Sequence, residues 1–201
     1  MFALTIDQRR SRQRADAVPG LLADLNRYPL VREFERTAGD EVQGLSDDPA
    51  VVVDMVCSVV ATQQWWIGIG LGPVDEPIPP SVRASRGPAL IAARAAVERS
   101  SSSPVGLAVE GKGARHAETA LHALARVITD RTEAGAEAVA AMAAGGTQKA
   151  VARRLGISPQ AFSRRLQVAR WSEEQRLRDL AIHLLAPSEF GVRSPETRAE
   201  P

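Results

Sequence analysis

The chain has 201 residues and nearly balanced charge, with 25 basic and 24 acidic side chains and a formal net charge of +1. Hydrophobic residues make up 44% of it, yet no apolar run approaches the roughly 18 residues of a membrane span, so the composition excludes a membrane-spanning or a strongly charged disordered chain. The amino terminus lacks the apolar run of a signal peptide. The single cysteine, Cys57, cannot form an internal disulfide, which predicts a buried thiol in a reducing, cytoplasmic setting.

The first half of the chain begins with the patterning of an α+β domain. Residues 2–7 predict a short buried strand, and residues 15–27 carry apolar side chains at helical spacing. Residues 34–44 are typical of a β-hairpin that turns near Gly39. Two strands that follow each other through a tight turn pair in antiparallel fashion, so this segment predicts part of an antiparallel sheet.

A second helix and a glycine-rich strand follow the hairpin. Residues 46–62 begin with Ser and Asp capping candidates and Pro49, which favours a helix although the valines would suit a strand. The glycines of residues 65–74 predict a strand that another backbone approaches closely. A helix over 87–100 and a strand over 104–111 complete a β-α-β-β-α-β-α-β order, which predicts helices on one face of a mostly antiparallel sheet.

The domain boundary is predicted at the Gly-Lys-Gly segment 111–113, because every element after it has helical patterning. The predicted division is an α+β domain over 1–112, an all-helical domain over 113–186 and a disordered polar tail over 187–201. The last helix carries an apolar stripe, which core packing and a dimer interface would explain equally well. Its members are Leu177, Leu180, Ala181, Leu184 and Leu185.

Residues 147–170 carry the signals of two short helices that meet at a sharp turn. Gly156 stands where the first helix must stop, a position that favours positive φ. Ser158 and Pro159 are suited to the cap and first turn of the second helix, whose inner face is then Phe162 and Leu166. Residues 145–170 contain six basic side chains and no acidic one, so this segment could neutralise phosphates despite the low net charge of the chain.

This pattern is typical of a DNA-binding helix-turn-helix and resembles region 4 of bacterial sigma factors. The residues predicted to face base edges are Gln160, Ala161, Ser163 and Arg164, since Gln pairs with adenine and Arg with guanine. The phosphate-contact candidates are Thr147, Lys149, Arg153, Arg154 and Arg165, and the predicted DNA-binding set is completed by Gln148 and Ser158. The alternative for this hairpin is a protein-interaction surface.

Acidic residues mark a second candidate site, in the first domain. Asp7 ends the first strand, and Asp40 and Glu41 lie at the predicted hairpin. Carboxylates on neighbouring strands beside a turn provide the oxygen ligands that hold Mg²⁺ for a nucleoside triphosphate. The alternative is that Asp7 caps a turn and that the hairpin acids only solubilise its tip.

The same segments resemble the class III nucleotidyl cyclases. The likeness spans roughly residues 1–110 and rests on the hairpin RTAGDEVQG, the strand WWIGIGLGPV and the helix start GPALIAAR. It implies a ferredoxin-like, palm fold, with Asp7 and Asp40 at the metal positions. It also implies a nucleotide site in which Arg36 replaces a purine-selecting lysine and Arg94 stands at the transition-state arginine. Leu90 occupies the position of a catalytic asparagine, and leucine cannot form its hydrogen bonds, so the resemblance implies a catalytically degenerate domain.

The TIDQR start, the hairpin and the carboxyl-terminal helix-turn-helix together are similar to the SatD-like family of small bacterial proteins, which implies a regulatory, DNA-binding role. The leading hypothesis is a cytoplasmic transcription regulator whose first domain senses a nucleotide or mediates dimerisation. We expect double-stranded DNA as a partner and a homodimer that matches a palindromic operator. The alternatives are an enzyme that processes nucleotides through Asp7, Asp40 and Mg²⁺, and a module that contacts RNA polymerase or another protein.

Overall fold

Five strands form one mixed sheet at the centre of the structure, a computed structural model that describes residues 1–186. The order across the sheet is β2-β3-β1-β4-β5. Strand β1 runs antiparallel to both β3 and β4, β2 pairs antiparallel with β3, and β5 pairs parallel with β4. The strands are β1 (Phe2–Gln8), β2 (Arg32–Ala38), β3 (Glu41–Ser46), β4 (Trp65–Leu71) and β5 (Leu107–Glu110).

The helices follow the predicted order, and the hairpin turns at Gly39 as expected, since this glycine has a positive φ of 55°. The chain is therefore an α+β protein with a helical carboxyl-terminal part. The predicted disordered tail, 187–201, lies outside the described residues. The helices are α1 (Val18–Leu25), α2 (Pro49–Thr62), α3 (Pro88–Ser100), α4 (Ala114–Thr129), α5 (Glu133–Ala143), α6 (Gln148–Arg154), α7 (Pro159–Val168) and α8 (Trp171–Leu185).

Helix α2 forms despite its run of β-branched residues, as its start signals predict. The Asp48 side chain accepts a hydrogen bond of 2.7 Å from the Ala50 amide, and Pro49 occupies the first turn. The helix is buried on most sides because it lies between the sheet and helix α4. Cys57 is confirmed as a core side chain with 5% exposure, and burial raises the pKa of its thiol to about 12.

Helix α3 covers the opposite face of the sheet, so the prediction that all helices lie on one face is wrong. The β4 glycines are the reason, since they let the backbone of α3 rest directly on the strand. A methyl group built on Gly70 would lie 2.0 Å from the Ala89 carbonyl oxygen, and one on Gly68 would lie 2.2 Å from the Val97 amide nitrogen. The close approach that the glycines of 65–74 predicted is therefore confirmed, with α3 as the approaching element.

At both edges of the sheet, side chains form hydrogen bonds with backbone amide and carbonyl groups of the edge strand. On β2, the Asn26 amide donates to the Phe34 carbonyl at 3.1 Å and its oxygen accepts from the Phe34 amide at 2.8 Å. On β5, the Glu118 carboxylate accepts from the Val109 amide at 2.6 Å, and Arg99 donates to the Val109 carbonyl at 2.9 Å. Both edges therefore have backbone groups that are already hydrogen-bonded within the chain.

The hydrophobic clusters divide the chain differently from the predicted boundary at 113. Helices α4 and α8 pack on α2 and join the main cluster, to which α8 contributes the buried Ala181 and Leu185. Leu177 and Leu184 pack against the same cluster, whereas Leu180 is 45% exposed, so core packing accounts for most of the apolar stripe on α8. Helices α5, α6 and α7 surround a separate small cluster that includes Phe162.

Ion pairs around the buried Glu174 connect this three-helix unit to the rest of the protein. Glu174 of α8 is 3% exposed, and its carboxylate accepts from Arg131 and, at 3.0 Å, from Arg178. Arg178 also pairs with Asp54 of α2. The Arg131 guanidinium donates in addition to the Ala169 carbonyl at 3.1 Å, just after α7 ends. The end of α7 is thereby linked through α8 to α2.

Candidate functional site

The turn between α6 and α7 is formed by the residues that the sequence indicated. The Thr147 hydroxyl accepts from the Ala150 amide at 3.3 Å, and the Ser158 hydroxyl accepts from the Ala161 amide at 3.1 Å, so both helices have side-chain caps. Gly156 has a φ of 68°, in the left-handed region that favours glycine. The predicted capping roles and the predicted glycine turn are confirmed.

Helix α7 has one buried face and one exposed face. Phe162 is fully buried and Leu166 is 4% exposed, and both pack in the three-helix cluster. The opposite face forms an open cleft of about 790 Å³. Its walls include three residues that were predicted to face base edges, Gln160, Ser163 and Arg164, all of which are exposed. Ala161 is exposed as well, close to the start of the helix.

The basic side chains of this segment fall into two groups. Lys149, Arg153 and Arg164 are exposed and, within residues 1–186, form no ion pair. Arg154 instead donates to the Ala141 carbonyl at 2.8 Å, and Arg165 pairs with Glu137 of α5 at 2.9 Å. The second group is thus held against α5, whereas the first group presents its charges to solvent beside α7.

Two residues of the exposed α7 face were missed by the sequence reasoning. Gln167 and Val168 line the same cleft as Gln160 and Arg164, and Val168 is 65% exposed. Helical spacing could have identified them, because Gln167 lies seven residues after Gln160 and Val168 lies four after Arg164. The exposed face therefore extends to the end of α7.

The acidic residues of the first domain meet at the end of the hairpin. Asp7 lies opposite Glu41 in the β1–β3 register, and its carboxyl group neighbours that of Asp40. Burial, together with the nearby charge of Asp40, raises the pKa of Asp7 to about 6. The pKa of Asp40 is lowered, and the neighbouring Ser11 hydroxyl is the main cause. Asp7 is therefore the member of the pair that is protonated below about pH 6, whereas Asp40 stays ionised.

The two arginines predicted to bind nucleotide lie on different sides of the sheet. Arg36 pairs with Asp16 at 2.6 Å, before α1, and lines a cleft of about 360 Å³ together with Asp40. Arg94 projects from α3 and pairs with Glu41. Arg12 and Arg14, in the basic run after β1, also line the Arg36 cleft, although the sequence reasoning did not single them out.

A metal ion at this site would have few protein ligands. Residues 1–186 contain no group of three or more His, Cys, Asp and Glu side chains arranged to hold a metal ion. Asp7 and Asp40 together supply two carboxylates, which fits a Mg²⁺ ion that is completed by water and nucleotide phosphates. The two carboxylates could therefore bind a Mg²⁺ ion that arrives together with a nucleotide.

The raised pKa of Asp7 leads to a prediction about pH. Native Asp7 keeps its proton up to about pH 6, whereas the unfolded side chain has a pKa of 3.8, so stability falls as pH rises between these values. We expect Asp7→Asn to raise the free energy of unfolding by about 1 kcal/mol at pH 8, because the site is only partly shielded from solvent. The gain disappears near pH 3, and urea unfolding at both pH values measures it. The exposed Asp24→Asn variant is the control, and an equal gain at both pH values would contradict the raised pKa of Asp7.

Comparison with known families gives one match, in the segment just described. The family described as bacterial regulatory protein, Fis family, matches residues 139–167, from the last part of α5 almost to the end of α7. No curated protein and no solved structure matches the chain. The chain therefore carries a helix-turn-helix in its carboxyl-terminal part, similar to that of Fis-family regulators. None of the helices among residues 1–186 is long and apolar enough to cross a membrane.

Proposed function

We propose that this protein is a DNA-binding transcription regulator that acts in the cytoplasm. The observation that carries the proposal is the exposed face of α7, which combines polar side chains with flanking cations and lies within the matched helix-turn-helix. Second helices of this motif enter the major groove. The similarity to the SatD-like family and to sigma region 4 agrees with this role.

Each part of the exposed surface has a role in this proposal. Arg164 pairs with guanine and Gln160 with adenine, because their side chains match the hydrogen-bonding groups of those bases. Val168 contacts a thymine methyl group. Lys149 and Arg153 contact phosphates at the edge of the groove, which positions α7 without adding sequence preference. Arg165 joins α7 to helix α5, and Arg154 joins α6 to the same helix.

Selection of bound sequences from a random duplex pool, followed by titration, tests the proposal. We expect the Arg153→Ala, Arg164→Ala double variant to bind the selected duplex about 100-fold more weakly, since one base contact and one phosphate contact are lost. Arg165→Ala is the matched control, because its side chain pairs with Glu137, and we expect it to stay within about threefold of the parent protein. Enrichment of no sequence, or equal affinity of parent and double variant, would overturn the proposal.

We propose that the first domain supplies the input, as a ferredoxin-like, palm domain without catalytic activity. The order β1-α1-β2-β3-α2-β4 and the arrangement β2-β3-β1-β4 support this assignment. The contact between Asp7 and Asp40 beside the cleft of Arg36 favours a nucleotide with Mg²⁺ as the ligand. A ligand regulates only through different affinities for two arrangements of the protein.

Thermal unfolding with ATP or GTP and Mg²⁺ separates the sensing and enzymatic alternatives. A rise in Tm without turnover supports a sensor, and conversion of nucleotide supports an enzyme that uses Asp7 and Asp40. The absence of any shift would remove both. The predicted homodimer is tested separately by sedimentation with and without the selected duplex, because a two-fold symmetric operator requires two copies of α7.

A further inference from the structure

A second cleft adjoins the exposed face of α7, on the side where α8 begins. Its volume is about 730 Å³, and helices α6, α7 and α8 contribute to its walls. Ser163 and Gln167 line both this cleft and the cleft along α7, so the two surfaces are continuous. A polymer that lies along α7 can therefore reach the second cleft.

Two arginines give this cleft positive charge. Arg176 is exposed and, within the described part of the chain, forms no ion pair. Arg170 has a side chain that is 56% exposed, and the carboxylate nearest to it, that of Glu173, lies 3.9 Å away, at the outer limit of an ion pair. Gln148, at the start of α6, adds an amide group to the opposite wall. The cleft thus offers several hydrogen-bond donors against one carboxylate.

The start of α8 is held in place on its other side. Trp171 packs against the cluster of the three-helix unit, and the buried carboxylate of Glu174 is bonded to Arg131 and Arg178. These contacts fix the backbone from which Arg170 and Arg176 project. A fixed backbone reduces the conformational entropy that is lost when these side chains bind a ligand.

We propose that the cleft between α6 and α8 binds the phosphate backbone of the DNA whose major groove receives α7, an inference that rests on the proposed DNA binding. Phosphate strands border the major groove, so a surface continuous with the side of α7 lies next to one of them. Arg170 and Arg176 lie beyond the matched segment 139–167, and α8 therefore adds contacts outside the helix-turn-helix.

Glu173 provides a second test, because removing its charge should change DNA affinity in the direction opposite to removing the charge of Arg176. Its carboxylate lines the same cleft and faces the same phosphates as the arginines. Like charges repel, so this residue weakens the attraction that Arg170 and Arg176 provide. Removal of its charge should tighten binding, whereas removal of the Arg176 charge should loosen it.

The experiment measures affinity for a short duplex of fixed sequence by fluorescence anisotropy over a range of salt concentrations. Each neutralised phosphate contributes about 0.9 to the slope of log affinity against log salt. We expect Arg176→Gln to reduce the slope by about 0.9 and to weaken binding roughly five- to tenfold near 0.1 M salt. Glu173→Gln should tighten binding about threefold. Arg115→Gln, at the far end of α4 from the three-helix unit, should leave both quantities unchanged.

The outcomes separate this inference from the proposed function. Opposite changes in Arg176→Gln and Glu173→Gln, with an unchanged control, support a phosphate site in the cleft. A parent protein that binds the duplex while both cleft variants keep its slope and affinity overturns the cleft site and leaves DNA binding by α7 intact. A parent protein that binds no duplex overturns the proposed function itself.

Discussion

Glu174→Gln is expected to lower the free energy of unfolding by about 3 kcal/mol, the largest loss that a single charge change should cause in this protein. The variant removes the carboxylate that pairs with Arg131 and Arg178 while both guanidinium groups stay in place. The Arg131 side chain is only 7% exposed, so its charge would remain buried without a full partner. Breaking one side of a buried ion pair is far more costly than the pair's net contribution, because an uncompensated charge is left away from water.

Thermal unfolding measures this effect as a fall in Tm of roughly 10 °C. Glu173→Gln is the matched control, because it removes the same charge one residue earlier from a side chain that is 55% exposed. We expect that variant to stay within about 0.5 kcal/mol of the parent protein. Equal Tm values for the two variants would contradict the importance of the buried network at the start of α8.

Gly70→Ala is expected to be comparably damaging for a steric reason, with a loss of about 3 kcal/mol. The new methyl group would lie 2.0 Å from the Ala89 carbonyl oxygen and 2.3 Å from the Ala93 amide nitrogen. Both neighbours are backbone atoms of α3, so no side-chain rotation can relieve the overlap. Helix α3 must shift away from β4, which opens the packing on that face of the sheet.

Gly20→Ala is the matched control for this steric effect. Gly20 lies in α1, and a methyl group built there meets nothing within 4 Å. The same substitution should therefore stabilise the protein by about 0.5 kcal/mol, since alanine loses less backbone entropy than glycine when a helix forms. Urea unfolding of both variants should give changes of opposite sign, and a neutral Gly70→Ala would refute the close contact between α3 and β4.

Local signals in the sequence were sufficient to predict most of the elements. Asp48 and Pro49 indicated the start of α2 and outweighed the strand propensity of its valines. The spacing of Gly156 and Ser158 predicted the turn between α6 and α7. These predictions succeed because helix caps and glycine turns depend on residues only a few positions apart in the chain.

Long-range packing could not be predicted in the same way. The glycines of β4 predicted a close neighbour, but nothing local identified it as α3 or placed it on the second face. The apolar face of α4 was equally visible in the sequence, whereas its docking on α2 depends on residues more than 50 positions away. A pattern of period 3.6 shows that a helix buries one side, and the partner surface remains unspecified.

The arginines of the candidate DNA interface show the same contrast between local signals, which the sequence reveals, and long-range contacts, which it does not. The segment 145–170 contains no acidic residue, so Arg153, Arg154 and Arg165 were all candidates for phosphate contacts. The structure pairs Arg165 with Glu137, which lies 28 residues earlier in the chain, and Arg154 with a backbone carbonyl of α5. A count of charges within one segment cannot account for partners that folding brings from another helix.

The side chains that are hydrogen-bonded to the edge strands also affect whether two protein molecules can pair through their sheets. Asn26, which follows α1, bonds to Phe34 of β2, and Arg99 of α3 and Glu118 of α4 bond to Val109 of β5. These are hydrogen bonds that an incoming strand would need. Such an edge is a poorer template for cross-β growth, so we expect these contacts to reduce aggregation through the sheet edges. If the proposed homodimer forms, these edges favour an interface built from helices over one built from paired strands.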